Sequence, residues 1–431
     1  MRWIEVSLSR ILDSLESGSR PRGGAPGLTS GIPSLGGEHI DDQGGFRFSN
    51  IRYIPPEHYR AMVTGRIHRF DILIVKDGAT TGKTALVREN FPFNEAAVNE
   101  HVFITRVNQF LADPAFIFYF LFSQRGQAEI LRDHRGATIG GISRRFADLT
   151  QIPLPPLSEQ RRIVEILDQA DALRKKRAEA DAKSARILPA LFYKMFGDPI
   201  ENPHGFATEI VGNLLTLLRN GTTAEQNQDG RGYPVTRIET ISEGVINPDR
   251  VRYVDFDNSE LKKWRLELGD ILFSHINSES HIGKTAIYKG HPDPLVHGMN
   301  LLLMRPDARQ VRPEYLFAVL NTESVRAVWR QRCKRAVNQA SLNQKDISSL
   351  EVGVPPIDLQ NRFCQLANTL FTQVEAQQKA TEKIKRLFYN LLHRAFTGDL
   401  TTKWREAHMK ELLQEMEQQA KALRAEGAKG I

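Results

Sequence analysis

The clearest hydrophobic pattern of the chain is a stripe of apolar residues in residues 158–195 that recurs every three or four positions from Ile163 to Met195. The segment has no glycine, a single proline, Pro189, and a charged middle. This spacing predicts a long helix of the coiled-coil kind. Residues 358–395 repeat the pattern. At a rise of 1.5 Å per residue, each segment predicts a rod of roughly 57 Å.

Both helical segments begin in the same way. Pro155-Pro156 precedes the first and Pro355-Pro356 the second, each followed by a capping candidate, Ser158 or Asp358. Because one apolar stripe must be buried against something, two stripes in one chain most simply pack on each other as an antiparallel pair. Packing of each helix on its own domain is the alternative.

The parts of the chain before each helix have a different pattern. The strings FDILIVKDGATTGKTALV and GDILFSHINSESHIGKTAIY each predict two strands joined by a long polar loop. Helical segments follow at Pro114–Ile130 and Pro313–Trp329, each with proline at the expected first position. These patterns predict a compact α/β domain in each part.

The whole arrangement occurs twice, with a period near 200 residues. The matching pairs include Arg52–Ile54 with Arg252–Val254, Gly82–Ala85 with Gly283–Ala286, Arg106 with Arg305, Pro114 with Pro313, and Gln160 with Gln360. Because the matches keep their order, and the period is too long for a solenoid, the chain contains two copies of one domain-plus-helix unit.

The predicted fold class is therefore α/β (α+β), with two domains separated by an antiparallel two-helix coiled-coil spacer and related by a pseudo-twofold repeat. The last segment has a weak apolar face from Leu412 to Leu423, formed by Leu412, Leu413, Met416, Ala420 and Leu423, and a solvated tail is expected there. The predicted divisions are 1–152 and 200–352 for the domains, 153–199 and 353–400 for the spacer helices, and 401–431 for a helical or disordered tail.

Composition narrows the class of protein. A net charge of +7 and a pI of about 9.3 favour polyanionic partners without proving nucleic-acid binding. Two cysteines, Cys333 and Cys364, without CxxC spacing make a disulfide framework or zinc knuckle implausible and fit a reducing cytoplasm. The longest apolar run, Ala115–Phe122, is too short to span a bilayer, and the first residues lack the apolar core of a signal peptide.

Signatures of catalysis are weak. Gly78–Thr84 looks like a phosphate loop, but only three residues separate its glycines and a strand is predicted to follow. Asp249, Glu260 and Lys262 match a nuclease pattern only loosely, and neither metalloprotease nor hydrolase motifs occur. We therefore expect a binding protein without catalytic residues, metal or cofactor of its own. A nucleotide-dependent enzyme using Gly78–Thr84 is an alternative.

Polar clusters in the loops, where the halves diverge, are candidates for contact with DNA. Lysine and arginine suit phosphates, while asparagine, glutamine and serine also suit base edges, although turn chemistry alone could explain many of them. The candidates are Lys76, Thr80, Thr81, Lys83, Arg144 and Arg145 in the first half, and Ser274, His275, Asn277, Ser278, Lys284, Asn338, Gln339, Ser341, Asn343 and Lys345 in the second.

Together, the duplicated domains and the helix entries IPLPPLSEQRRIV and VGVPPIDLQNRFC resemble the specificity subunit of type I restriction-modification systems, over about residues 1–400. The segments GIPSLGGEHI and FYKMFGDP add to the resemblance. The one departure is Asp358-Leu359, where the first entry has Ser158-Glu159.

That resemblance implies a non-catalytic subunit of the prokaryotic cytoplasm in which each domain reads half of a split double-stranded DNA site. It also implies that the helices set the spacing between the two half-sites. The implied partners are two methyltransferase subunits, which bind S-adenosylmethionine, and motor-nuclease subunits; no membrane is involved. A scaffold that does not read DNA is the other alternative. The target bases and the gap length cannot be read from the sequence.

Overall fold

The computed structural model of the chain describes residues 3–21, 27–136, 140–242, 244–278, 281–336 and 339–429. The chain forms two compact units: Met1–Arg177 with Thr381–Ile431, and Ala178–Ala380. This division differs from the linear one expected from the sequence because each long helical segment contributes residues to both units.

In its described residues, the first domain is built from short strands and four α-helices. Its elements are β1 (Ile4–Ser7), β2 (Leu12–Ser17), β3 (Ile32–Leu35), β4 (Arg52–Ile54), α1 (Pro56–Ala61), β5 (Ile72–Val75), β6 (Thr84–Leu86), β7 (Ala97–Val98), β8 (Val102–Val107), α2 (Pro114–Phe122), α3 (Gln124–Leu131), α4 (Phe146–Leu149) and β9 (Gln151–Leu154). Strands β2, β8, β5 and β6 form an antiparallel four-stranded sheet in that order. Strands β5 and β6 pair directly, which confirms the two strands predicted around the polar loop.

The helical segment predicted after this sheet is two helices rather than one. Helix α2 begins at Pro114, as expected, and ends at Phe122. The Ser123 side chain then accepts a hydrogen bond from the Gly126 backbone N–H at 3.1 Å, which caps the start of α3.

The first long helical segment is also interrupted. Helix α5 spans Leu157–Ser184 and helix α6 spans Ile187–Phe196, so the single rod predicted over residues 158–195 is wrong. Pro189 explains the break, because it has no N–H to donate to the carbonyl of Ala185 and its ring clashes with that position. The proline was visible in the sequence and marks the place of the interruption.

The second domain repeats the arrangement of the first. Its elements are β10 (Ala207–Ile210), β11 (Leu215–Asn220), β12 (Tyr233–Val235), β13 (Arg252–Val254), α7 (Asn258–Trp264), β14 (Ile271–Ser274), β15 (Ile276–Asn277), β16 (Thr285–Ile287), β17 (Leu301–Pro306), α8 (Pro313–Leu320), α9 (Glu323–Arg332), β18 (Lys334–Ala336), β19 (Gln339–Ser341), α10 (Gln344–Ser348) and β20 (Glu351–Val354). The sheet order β11-β17-β14-β16 matches β2-β8-β5-β6, which confirms the internal repeat.

A buried ion pair occurs at the same place in both sheets. Arg106 binds Asp71 through Nε and Nη2, both at 2.9 Å, and Arg305 binds Asp270 through the same atoms at 2.8 Å. Both carboxylates are about 1% exposed. This bidentate pair explains why the arginines recur in the sequence repeat.

The chain ends in three helices: α11 (Ile357–Thr397), α12 (Thr402–Ala407) and α13 (Met409–Lys429). Helix α11 is continuous, as its proline-free sequence predicts. Among the described residues, no helix is long and apolar enough to cross a membrane.

The expected solvated tail is instead a packed helix. Leu412 and Leu423 of α13 are buried, and the Gln419 side chain donates to the carbonyl oxygens of Leu111 and Pro155 at 3.0 and 3.3 Å. One side of the apolar face noted in the sequence therefore packs within the first unit, whereas Leu413 is 51% exposed.

The entries of the two long helices are held by a glutamine, not by the expected caps. Both helices begin one residue before Ser158 and Asp358, so these lie within the first turn. The buried Gln160 donates to the Pro155 carbonyl and accepts from the Asp113 N–H, both at 2.8 Å. Gln360 makes the same two bonds, to the Pro355 carbonyl and from the Arg312 N–H, at 2.8 Å.

The long helices pack on each other within each unit. In the first unit, Glu159 at the start of α5 contacts Arg405 beyond the end of α11, and Arg174 lies 4.7 Å from the ring centroid of Phe388. The later residue of α5, Arg174, thus contacts an earlier residue of the C-terminal segment than Glu159 does, which confirms the antiparallel pairing. In the second unit, Phe192 of α6 packs edge-on against Phe363 of α11.

Candidate nucleic-acid interface

In the first domain, the polar loop between β5 and β6 is a tight turn closed by its own backbone. Gly78 and Gly82 both have a φ of +90°, the left-handed conformation that favours glycine. Four amide donors of the loop are already used: Gly78 N–H to Gly140 O, Thr81 N–H to Gly78 O, Gly82 N–H to Val75 O, and Lys83 N–H to Thr80 O. A phosphate loop needs free amides and a following helix, whereas strand β6 follows here.

The second candidate cluster of this domain lies beside that loop. The Ile142 N–H donates to the Lys76 carbonyl at 2.7 Å, and Asp77 and Gly141 form a bridge. Arg144 and Arg145 follow directly, and both are exposed. Two clusters that are more than 60 positions apart in the sequence therefore form one edge of the domain.

The cations of the loop are partly engaged within the domain. Lys83 forms an ion pair with Asp42 at 2.6 Å, and the Lys76 ammonium lies 5.6 Å from the centre of the Phe103 ring. Thr80 and Thr81 are half-buried, and the Thr81 hydroxyl donates to the Gly78 carbonyl at 2.7 Å. A DNA phosphate would have to compete with Asp42 for Lys83.

The second domain brings its two candidate clusters together in the same way. Ile276 pairs with Ser341, and Asn277 pairs with Ala340, as strands β15 and β19. Leu342 then donates its N–H to the His275 carbonyl at 2.9 Å. The edge is equivalent to that of the first domain, but here short strands form it.

A cleft of about 350 Å³ opens at this edge. Asn277, Ser278, His281 and Lys284 contribute to its lining, together with Ser242. The Lys284 ammonium donates to the Ser242 carbonyl at 2.7 Å, and the Ser278 hydroxyl lies 2.9 Å from Nδ1 of His281. The lining is rich in groups that can donate or accept hydrogen bonds at a base edge.

Some of the candidates already make structural contacts. Ser274 is fully buried and its hydroxyl accepts from the Asn277 side chain at 3.1 Å. It also lines the cleft, so its contact with DNA stays a prediction. His275 is buried, and burial lowers the pKa of its imidazole, which keeps the ring neutral. Asn343 caps α10 by accepting from the Asp346 N–H at 2.8 Å.

The remaining candidates of the second half occupy the same region. Ser341 is half-buried in β19, Lys345 is exposed in α10, and Gln339 begins β19. Asn338 lies outside the described residues. Whether any of these residues contacts DNA stays a prediction.

A charged network beside the first loop was missed by sequence reasoning. His101 Nδ1 lies 2.5 Å from the Asp77 carboxylate, and Arg20 Nη2 lies 2.9 Å from His101 Nε2. His101 Nε2 also lies 3.3 Å from the Glu100 carboxylate. Arg20 also pairs with Glu100 at 2.5 Å. No sequence signal links these residues, because Arg20 and Glu100 lie 80 positions apart and have no counterpart in the repeat.

Comparison with known proteins identifies similar chains. The family model for the "Type I restriction modification DNA specificity domain" matches residues 65–180 and again residues 207–386. A putative type I restriction enzyme MjaX specificity subunit of Methanocaldococcus jannaschii is 43% identical over 197 residues, covering 44% of this chain and 46% of that protein.

A second relative is matched over most of its length. The type I restriction enzyme EcoKI specificity subunit of Escherichia coli K12 is 26% identical over 407 residues, covering 87% of this chain and 83% of that protein. The solved S subunit of a type I restriction-modification system from M. genitalium has the same fold, with a TM-score of 0.57 at 13% identity over 92% of this chain and 96% of that one. The chain thus spans about half of the archaeal relative and most of the bacterial ones.

Proposed function

Because this chain belongs to the type I restriction modification DNA specificity family, we propose that each of its two domains reads one half of a split double-stranded DNA target. Two matches to the family model together cover well over half of the chain, and this observation carries the assignment as a DNA-specificity subunit. The duplicated sheet places one matched segment in each domain.

The reading surface we propose is the edge at which the two polar clusters of each domain meet. The backbone arrangement is shared: Lys76 with Ile142 in the first domain, and His275 with Leu342 in the second. The side chains differ, with lysine and threonine in the first loop and asparagine and serine in the second. A shared frame with different side chains is what reading two different half-sites requires.

We further propose that the chain acts as a non-catalytic adaptor. Its antiparallel helices would set the distance between half-sites and bind two methyltransferase subunits, with motor-nuclease subunits joining the larger complex. An internal repeat supports this, because near-equivalent faces can bind two identical partners. S-adenosylmethionine would bind to the methyltransferase subunits. The four occupied amides of the Gly78–Thr84 loop, and the strand that follows it, argue against a nucleotide-dependent enzyme.

Methylation-aware sequencing tests the proposal. DNA from cells that express this chain with its methyltransferase subunit should carry a split adenine motif that is absent without this chain. A complex that assembles but gives no motif would favour a scaffold that does not read DNA.

A substitution in one domain tests whether each domain recognises its own half-site independently of the other. Asn277→Ala should alter or weaken one half of the motif and leave the other half unchanged. The matched variant is Arg144→Ala, which should affect only the opposite half. Equal damage to both halves by each variant would contradict independent reading.

A further inference from the structure

Helix α5 presents three polar residues to the first domain at three-residue intervals: Asp168, Asp171 and Arg174, called here the polar row. Asp168 accepts hydrogen bonds from the Tyr119 hydroxyl at 2.6 Å and from Arg88 at 2.7 Å. Burial and the bond to Asp168 raise the pKa of Tyr119, so its hydroxyl keeps the proton that it donates. Asp168, the first residue of the polar row, therefore binds Tyr119 of helix α2 through a charge-assisted hydrogen bond.

Arg174 continues the row as a buried junction between three elements. Its guanidinium donates to Asp171 at 2.5 Å and to the Gln43 carbonyl at 2.8 Å, and it also binds the Gln43 side chain. Its face stacks on Phe388 of α11 at 4.7 Å. The loop that carries Gln43 is held by Asp41, which accepts from the Gln43 N–H at 2.8 Å. Arg174 and Asp171 are 5% and 9% exposed.

The second half has different chemistry at the corresponding positions, which lie 200 residues later. Asn368, Phe371 and Val374 replace the three members of the polar row. Phe371 packs against Phe317 at 6.1 Å, and the Lys289 ammonium lies 3.6 Å from its ring centre. Asn368 donates to Glu314 at 3.1 Å at the exposed surface. The interface between helix and domain therefore contains a buried ion pair in the first half, whereas Phe371 and Val374 take the places of that pair in the second half.

The two kinds of interface between helix and domain differ in how strictly they fix the angle between the two. Apolar packing is not directional and tolerates small rotations of one surface on another. A guanidinium with several short hydrogen bonds holds its partners in one geometry, and displacing it would leave a buried charge without partners. A buried polar interface of this kind can therefore hold a domain at one angle to the helix even when it adds little to the free energy of unfolding.

We propose that the polar row fixes the angle of the first domain on helix α5 and so sets where the first half of the target is read. Asp168, Asp171 and Arg174 are positioning residues in this view. The inference rests on the split-site reading proposed above, because an angle between reader and helix matters only if a gap between half-sites is measured.

The test is the methylation of a DNA library by the assembled complex. The library carries the motif found for the unaltered chain, with the gap at its native length or one base pair shorter or longer. Arg174→Met should lower methylation at the native gap by about ten- to a hundredfold, since small misplacements have such effects. Methylation at the altered gaps should rise relative to it, while the bases of both half-motifs stay the same.

Two further variants separate positioning from simple loss of folding. Lys175→Met removes an exposed cation from the same Asp171, which it contacts at 2.8 Å, and should keep the native gap. Asp171→Phe with Arg174→Val gives the first helix the residues of the second, and should relax the gap without losing thermal stability. If Arg174→Met does not assemble, the double variant decides.

The two failures are distinguishable. Native gap selectivity in the double variant, or equal relaxation by Lys175→Met, would overturn the role of the polar row. An unaltered chain that gives no split motif at all would overturn the proposed function instead.

Discussion

Gln160 and Gln360 each join the start of a long helix to the domain that precedes it. The sequence repeat marked them, and the structure explains the repetition: each buried amide donates to the carbonyl of the first proline and accepts from a backbone N–H about 47 positions earlier. Both ends of the amide are used, so no apolar residue of the same size can replace it without leaving buried polar groups unpaired.

Gln160→Leu should therefore lower the free energy of unfolding by about 3 kcal/mol, because the Asp113 N–H loses its acceptor and the Pro155 carbonyl loses its better donor. Gln360→Leu should cost about the same. Urea denaturation of the purified chain measures both. The exposed Gln109 is the control, and Gln109→Leu should change stability by at most about 0.5 kcal/mol. An equally small change in the free energy of unfolding for Gln160→Leu would contradict the role of Gln160 in joining helix and domain.

For single residues, the sequence predicted which residue types are candidates for a function but not the burial or the partners of each side chain. Ser274 belongs to a polar string, yet pairing of β14 with both of its neighbours buries it. Asn343 was chosen for its amide, which serves as a helix cap. Arg20 and His101 form their network only because distant segments fold together. Burial and partner choice are tertiary properties, and local patterns do not contain them.

Among the elements, the C-terminal helix α13 departs most from expectation. Its apolar face is weak in the sequence because it is narrow, and a narrow stripe fits either a solvated helix or a docked one. The groups that decide lie far away in the chain: the carbonyls of Leu111 and Pro155, and Arg10, which donates to the Leu423 carbonyl at 2.9 Å.

Neighbouring leucines of this helix provide a matched test of docking. Leu412 is fully buried and Leu413 is 51% exposed. Leu412→Ala should lower the free energy of unfolding by about 2–5 kcal/mol, as expected for truncating a buried leucine. Leu413→Ala should change it by at most about 0.5 kcal/mol. Thermal or urea denaturation measures both. Equally small changes in stability for the two substitutions would mean that α13 is a solvated helix and is not docked.

The interruption between α5 and α6 shows the opposite case, in which the sequence carried the answer. Pro189 lies within a stretch of helical periodicity, and a proline there removes one backbone hydrogen bond. The periodicity continues on both sides, from Leu157–Ser184 to Ile187–Phe196, so the pattern alone favoured one rod. A break of two residues hardly disturbs a 3.6-residue period, which is why periodicity did not locate it.

For the whole molecule, the repeat was the most informative feature. Matches near a period of 200 residues predicted two related domains, and the equal sheet orders confirm them. What the sequence could not predict is how residues are shared between the two units, because a long helix belongs to one segment of sequence and to both units in space. Nor does it give the target bases, since base recognition depends on the geometry of side chains at each edge.

If the helices act as a ruler, their length should determine the gap between the two half-sites. Removing seven residues from each helix, 178–184 from α5 and 376–382 from α11, keeps the apolar stripes nearly in phase, because seven residues are close to two turns. The helices shorten by about 10 Å, which corresponds to roughly three base pairs of DNA. The methylated motif of the assembled complex should keep its half-site bases and have a shorter gap. A gap of unchanged length would mean that something other than these helices sets the distance between the two readers.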